Sequence, residues 1–418
     1  MENEKRTENV KERISEISKY IMENIAPKLP DKIVNQVKLE LEKMMEVLLE
    51  TRPPRFVVLG RRGSGKSSLI NAIFGSNVAE VGSVKSTTGI GAWYDYKNKR
   101  GKISILDTRG LGEGSLPDKK CTEKSVKDEV YVSIDKSLPD VLLFLCKAKE
   151  VDARIDEDIE NLVEIKMYLQ NKHGYNPPIV GIMTQVDELD PPDVVEPPYR
   201  DSIKCKNIAD AKKILSKKLE AKFKDVIEVI PVSAYVRFEN EKIVYDRRWN
   251  IDKLLECLIE RIPKNALLEL ARITQIKSVQ KKIANILIRS AVGITGLVGV
   301  EPIPIADLPV ITGIQVSLII GIGYISGRKM SKKSAIEFMT SMGVNVGAAF
   351  VLRQIARSLI KLIPGAGNAV SGTVAAASTW AIGKAAIAYF IDKKSPEETK
   401  KIFEIEKRNR RKSKDKNN

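Results

Sequence analysis

Residues 60 to 67 read Gly60-Arg61-Arg62-Gly63-Ser64-Gly65-Lys66-Ser67, matching the pattern G-x-x-x-x-G-K-[ST] at every fixed position. An apolar, β-type run, Phe56-Val57-Val58-Leu59, leads in, and a helical run from Ser68 to Phe74 leads out before Gly75. A loop between strand and helix aims its free backbone N–H groups at one spot, and the helix N-terminus adds a positive dipole there. Gly60, Gly63 and Gly65 let the backbone turn tightly and come close to phosphate oxygens. In such a loop Lys66 reaches the β- and γ-phosphates and the Ser67 hydroxyl holds Mg²⁺, with Ser64 and Ser68 adding backbone amides.

Working outward, β-type runs at 55–60, 92–97, 102–107, 140–146, 179–184 and 228–232 alternate with helical stretches near 65–75, 122–137, 154–171, 207–223 and 250–262. This alternation predicts an α/β fold: a mostly parallel six-stranded sheet with helices on both faces. Ligands of such sheets bind beyond the carboxyl ends of the strands. The strand at 102–107 ends in Asp107-Thr108-Arg109-Gly110, where Asp107 can serve the Mg²⁺ shell and the Gly110 amide can meet a γ-phosphate. Ser86-Thr87-Thr88-Gly89 lies between; Thr88 is favoured over Thr87 to complete the metal shell. The strand at 179–184 runs into Thr184-Gln185-Val186-Asp187, whose carboxylate can accept two hydrogen bonds from guanine N1 and N2; adenine has no such pair. The strand ending Val229-Ile230-Pro231-Val232 brings the Ser233 and Ala234 amides toward the guanine carbonyl.

The ordered set GRRGSGKS, STTG, DTRG, TQVD and SA resembles the five guanine-nucleotide motifs of the translation-factor-related P-loop GTPases, a group running from Era-like to dynamin-like proteins. The resemblance implies a G domain binding GTP or GDP with Mg²⁺ and hydrolysing GTP. Two departures matter. Gln185 stands where the fourth motif carries a lysine, and Leu111 where Ras-like enzymes carry the glutamine that orients water. Intrinsic hydrolysis is therefore expected to be slow. The potassium-binding asparagine of some relatives is matched by Gly63, which closes that route. Arg62 is the remaining candidate: an arginine at the γ-phosphate can be worth about 10³–10⁵ in rate. It would act as a built-in finger when two G domains meet face to face, as in dynamin-like and immunity-related GTPases; the alternative is that Arg61 and Arg62 both point to solvent.

The flanks read as helices. Val10, Ile14, Ile17, Ile21 and Ile25 form one apolar stripe, and Val37, Leu41, Met44, Met45 and Leu48 a second after a break at Pro27–Pro30. Beyond Pro263 the composition turns to Ile, Ala, Gly and Val, with uncharged runs at 290–300, 308–327, 338–352 and 362–383. At about 1.5 Å per residue, 308–327 is long enough for one bilayer core. The phrase Asp307–Gln315 and the helix after it, with Lys147–Asp156 upstream, resemble the helical domain of unknown function (DUF697) appended to bacterial GTPases. Helices before and after a G domain are also the layout of immunity-related GTPases, where both flanks pack into one all-α domain. The expected layout is 1–52 amphipathic helices, 53–263 G domain, 264–392 hydrophobic helical domain and 393–418 a solvated basic tail.

Three readings stay open for the helical domain. It is a bundle able to attach to membrane, a fixed hairpin packed through Gly323-x-x-x-Gly327 and Gly343-x-x-x-Gly347 with Arg328, Lys329, Lys332 and Lys333 at one headgroup layer, or a bundle with no membrane role. The net charge of +16 favours acidic partners: anionic membrane, or RNA and the ribosome. A nucleotide-dependent homodimer is the other expected partner. Four scattered cysteines with no CxxC pair and a single histidine, His173, argue against a disulfide framework and structural zinc. With a charged N-terminus lacking a signal core, the expected setting is cytoplasmic, peripheral or integral at the membrane. His173 reads as an exposed helix-end residue.

Overall fold

The computed structural model describes residues 26–28, 30–48, 52–79, 92–98, 101–108, 123–153, 155–223, 228–240, 242–274, 276–298, 307–328 and 372–415, with a few single residues between them. The chain forms two compact units: Met1–Arg52 with Lys264–Asn418, and Pro53–Pro263. The first described long helix, α1 (Asp31–Leu48), belongs to the helical unit.

In the central unit the elements follow as β1 (Arg55–Leu59), α2 (Lys66–Phe74), β2 (Trp93–Asn98), β3 (Gly101–Asp107), α3 (Glu123–Lys136), β4 (Val141–Lys147), α4 (Asp156–His173), β5 (Ile179–Thr184), α5 (Ser202–Glu220), β6 (Glu228–Pro231), β7 (Val236–Glu239), β8 (Lys242–Asp246) and α6 (Ile251–Ile259). Six strands form one sheet in the order β2-β3-β1-β4-β5-β6. All neighbours are parallel except β2 with β3. β5 is buried along its whole length and β4 at all but its last residue, as a parallel sheet covered on both faces requires. The chain leaves β1 toward β3 on one side and β4 on the other, so the strand order reverses at β1 and opens a crevice there. Register brings the carboxyl ends together: Val58 pairs with Asp107, Leu59 with Phe144, and Lys147 with Thr184.

The strands and helices predicted for the central unit are all present, with ends moved by a few residues, while the predicted apolar stripe at 10–25 falls outside the described residues. The β7–β8 hairpin was not expected. Its strands are largely exposed, and its turn at Asn240 (φ 48°) lacks the glycine that marks most tight turns.

The helical unit continues with α7 (Lys264–Thr274), α8 (Lys277–Val298), α9 (Asp307–Ile325), α10 (Gly372–Ala386, prolonged by a π-helical turn Ile387–Ile391) and α11 (Pro396–Asp415). α8 packs on α1, α9 and α10, and α11 packs on α10. The stripe Val37, Leu41 and Met44 of α1 is buried, so the N-terminal flank completes the C-terminal bundle. Two findings correct the sequence reading. Residues 396–415 are a docked helix rather than a tail: Thr399 is fully buried, and Trp380 Nε1 donates to Glu406 at 2.8 Å. Gly327 (φ 79°) lies past the end of α9, where its amide closes on Tyr324 O at 2.9 Å, so it terminates the helix instead of extending a packing face. Arg328 lies 5.3 Å from the ring centres of both Tyr389 and Phe390. The expected Gly343–Gly347 face, and Lys329, Lys332 and Lys333, fall outside the described residues.

Candidate functional site

β1 ends at Leu59 and the chain turns at once into the loop 60–65. Gly60 sits at φ 153°, and a Cβ there would come 2.6 Å from Leu145 O and 2.9 Å from Ser64 Oγ. Gly63 (φ 79°) and Gly65 (φ 87°) hold left-handed conformations, and Gly65 is the N-cap of α2 without a side-chain cap. With no side-chain cap at Gly65, the first turn of α2 opens toward the loop. Lys66 is nearly buried and folds back across the loop, donating to Gly60 O and, at 3.1 Å, to Arg61 O. A cation with uncapped amides around it is a seat for an anion. Ser64 Oγ is buried and finds no hydrogen-bond partner among the described residues.

Asp107 ends β3 beside Val58 of β1 and is buried. Next to it Thr108 Oγ1 donates to Val58 O at 3.2 Å. Asp107 and Lys66 border one otherwise apolar cavity between α2 and the sheet. The Ser67 hydroxyl and the Asp107 carboxylate are hard oxygen donors, the type Mg²⁺ prefers. Among the described residues no group of three or more His, Cys, Asp or Glu can hold a metal alone. Mg²⁺ at nucleotide sites usually takes one or two protein oxygens and the phosphates of the nucleotide. Thr88 and Gly110, the other predicted γ-phosphate residues, lie outside the described residues, as do Leu111 and both expected switch segments, 83–91 and 109–124.

The segment expected to read the base is fastened to the loop 60–65. Thr184 Oγ1 donates to Ser64 O at 2.8 Å and reaches Cys146 O at 3.3 Å. Gln185, at φ 58°, donates its side-chain amide to Gly63 O at 2.9 Å. The unexpected glutamine is thus a tie between the two halves of the site. Asp187 follows in a short 3₁₀ turn, Val186–Glu188, half-buried. Beyond β6, Ser233 exchanges backbone hydrogen bonds with Trp249 (3.3 Å from its own N–H, 2.9 Å to its carbonyl). This corrects the expectation of two amides free for the base: Ser233 spends its own, and Ala234 keeps the one that remains.

Arg61 and Arg62 part company. Arg61 Nε donates to Asp158 Oδ2 at 2.8 Å and its terminal nitrogen lies 3.5 Å from Glu157, both in the acidic first turn of α4. The reading that both arginines point to solvent fails for Arg61. Burial raises the Asp158 pKa, and the Arg61 charge opposes that rise. Arg62 is exposed at the loop tip. Two lysines escaped the sequence reading. Lys147, at the end of β4, lies 3.5 Å from where a Gly63 Cβ would stand and pairs with Glu150 at 2.9 Å. Lys204 in α5 is completely buried beneath the Asp187 turn. Nothing in the lysine-rich sequence of α5 distinguishes Lys204 from its solvated neighbours.

Residues 55–182 match the family model described as 50S ribosome-binding GTPase, and residues 262–414 match the domain of unknown function DUF697. The chain therefore carries a P-loop GTPase domain followed by a DUF697 domain, and the second match takes in α11. Translation initiation factor IF-2 of Leptospira biflexa is 30% identical over 155 residues, covering 35% of this chain and 16% of that protein. GTPase Der of Streptococcus suis is 27% identical over 136 residues, covering 32% of this chain and 27% of that one. A solved structure of Aquifex aeolicus Era bound to GDP and AlF4⁻ overlays with a TM-score of 0.33 at 20% identity, covering 58% of this chain and 67% of that chain. The matched segments thus span a minor part of the curated relatives.

Proposed function

We propose that this chain binds GTP and GDP with Mg²⁺ and hydrolyses GTP slowly to GDP and phosphate as a conformational switch. The observation that carries the reading is the pair of ties from Thr184 to Ser64 O and from Gln185 to Gly63 O. They set a carboxylate suited to guanine at a fixed reach from a loop suited to phosphates. Asp187 would accept from guanine N1 and N2, while the Ala234 amide would donate to O6. Adenine would turn its 6-amino group, a donor, against that amide. During hydrolysis water attacks the γ-phosphorus, the bond to the β-γ bridging oxygen breaks, and charge grows on oxygens facing the loop amides and Lys66. When bound, Mg²⁺ supplies further charge neutralisation between Ser67, Thr88 and Asp107. Arg62, exposed at the tip of this loop, would reach a second copy in a face-to-face pair.

Affinity for GDP against ADP, with single-turnover hydrolysis of GTP, tests the core reading. Lys66→Ala should abolish turnover, and Asp187→Asn should move preference toward xanthine nucleotides, whose 2-carbonyl suits an amide donor. Equal affinity for GDP and ADP refutes the reading. For the dimer, hydrolysis per molecule should rise with protein concentration in the wild type and stay flat in Arg62→Ala.

The helical unit would be the output. Gly372–Ile391 is, among the described residues, the one helical stretch long and apolar enough to cross a membrane, and two thirds of it is buried by its own unit. That supports a bundle that attaches at the cytoplasmic face of an anionic membrane rather than a fixed span. The second reading, an RNA- or ribosome-associated GTPase, is supported by the family description and the charge of +16. GTP-dependent flotation with anionic vesicles supports the first; salt-sensitive co-sedimentation with ribosomal RNA and no flotation replaces it with the second.

A further inference from the structure

Lysine is almost never fully buried unless it is paired. Lys204 is, with no exposed surface at all. The reason begins locally. Asp201 caps α5, its Oδ1 accepting the Lys204 amide at 2.8 Å, which puts Lys204 in the first turn. Side chains there point back toward the helix N-terminus, onto the chain that precedes it. The Lys204 ammonium donates to three main-chain carbonyls: Asp187 at 2.7 Å, Leu189, and Pro191 at 3.3 Å. An ammonium has three N–H groups and no acceptor, so these carbonyls satisfy it completely. The Tyr199 ring centre lies 5.6 Å away. Burial lowers the Lys204 pKa, and the charges of Asp187 and Asp190 push it back up.

All three acceptors belong to one turn, and the first is the carbonyl of the residue assigned to the base. A buried cation that loses a partner is costly. The turn therefore cannot open without stranding the ammonium. From the other side, Gln185 fastens the same segment to Gly63 O. Asp187 sits between these two ties.

We propose that Lys204 is the positioning residue of base recognition: its ammonium holds the 187–191 turn in the shape that presents the Asp187 carboxylate to N1 and N2 of guanine. This rests on the guanine-nucleotide reading above. A lysine that merely plugged a void would stabilise the fold and leave base choice alone.

The test uses the full chain with GDP, IDP and ADP, which avoid turnover. Hypoxanthine lacks the 2-amino group, so the GDP-to-IDP affinity ratio reads the Asp187 contact by itself. Lys204→Met keeps the stem and removes the charge. It should lower that ratio by about tenfold, roughly the worth of one charge-assisted hydrogen bond, and leave ADP affinity within about twofold. In an Asp187→Ala background Lys204→Met should change the ratio no further. Lys204→Gln, whose two N–H groups cannot serve three carbonyls, should lower the ratio at least about threefold and covers the case in which Lys204→Met does not fold. Equal losses for all three nucleotides, or an unchanged ratio in the folded variants, overturn the proposal. A wild type that does not prefer GDP to ADP refutes the guanine reading instead, whatever Lys204 does.

Discussion

Gly60→Ala should uncouple nucleotide binding from folding. Two costs add at this position. The φ of 153° belongs to a region that only glycine enters cheaply, worth about 1–3 kcal/mol. The new Cβ would also lie 2.6 Å from Leu145 O, a main-chain atom of β4 hydrogen-bonded between β1 and β5. Overlap of that kind costs about 1–3 kcal/mol when the neighbour cannot yield. Together they approach the lower end of a domain's whole stability, about 5–15 kcal/mol. The sheet is the stiffer side, so relief comes from the loop lifting away from Leu145. That displaces the Gly65–Ser68 amides and the carbonyls that hold Lys66. At about 1.4 kcal/mol per tenfold, losing half of the combined cost from binding lowers GDP affinity about fivefold to a hundredfold. Calorimetric titration with GDP and thermal unfolding of the apo-protein separate the two quantities. Gly174→Ala is the control: its φ is 60°, yet nothing lies within 4 Å of the added Cβ. It should cost about 1–2 kcal/mol of stability and leave affinity untouched. If Gly60→Ala binds GDP within about threefold of wild type, the close approach of the loop to β4 is not what shapes the site.

Other sites give independent tests. Gln185→Ala should speed GDP release about five- to tenfold by removing a tie of about 1 kcal/mol, seen in stopped-flow displacement; an unchanged rate refutes the tie. Arg61→Ala strands Asp158, whose folded pKa burial already raises above the ordinary carboxylate value. The ionised form opposes folding above that pKa, so the loss is full at neutral pH, about 1–2 kcal/mol given a partly exposed arginine, and shrinks as acid protonates Asp158. Urea midpoints at pH 7 and pH 4.5 should show this, and adding Asp158→Asn should recover most of it. In the helical unit Gly383→Ala drives a Cβ to 2.5 Å from Ile288 Cγ1 and should cost about 1–3 kcal/mol. Gly296→Ala meets Ala376 Cβ at 3.4 Å and should be neutral, or stabilising by up to about 1 kcal/mol through helix propensity. Thermal melts that fail to separate these two would contradict the packing of α8 on α10.

The central sheet is legible because strands buried on both faces must be unbroken apolar runs, as in Val141-Leu142-Leu143-Phe144-Leu145-Cys146. The phosphate loop is legible because its glycines answer to backbone geometry that few other residues allow. Lys204 is not legible, since a lysine on a lysine-rich helix reads as solvated and only the three carbonyls above it say otherwise. Arg61 is hidden for the same reason: its partner Asp158 is far along the chain. α11 reads as a frayed tail because charge dominates its composition. Few of its side chains are fully buried: Thr399 is, while Glu406 accepts from Trp380 and Arg410 lies 4.7 Å from the centre of the same indole ring. Long-range pairs of polar side chains leave no periodic trace in a sequence.

The substitution at 185 looks at first like a weakening of guanine recognition, because the lysine stem that usually covers the base is missing. The geometry argues differently. A residue at this point has two tasks, to pack on the base and to fasten the base segment to the phosphate loop, and Gln185 still performs the second through Gly63 O. Thr184 adds a parallel tie one residue earlier, and its side chain lies within 3.6 Å of a Cβ placed on Gly65. The phosphate loop is thus backed by the very segment proposed to read the base. On the proposed guanine reading, these two ties hold the Asp187 turn at a fixed reach from the carbonyls of Gly63 and Ser64. If Lys204 fixes the far end of the same turn as proposed, specificity would reside in a short braced segment, and the lysine stem would be dispensable.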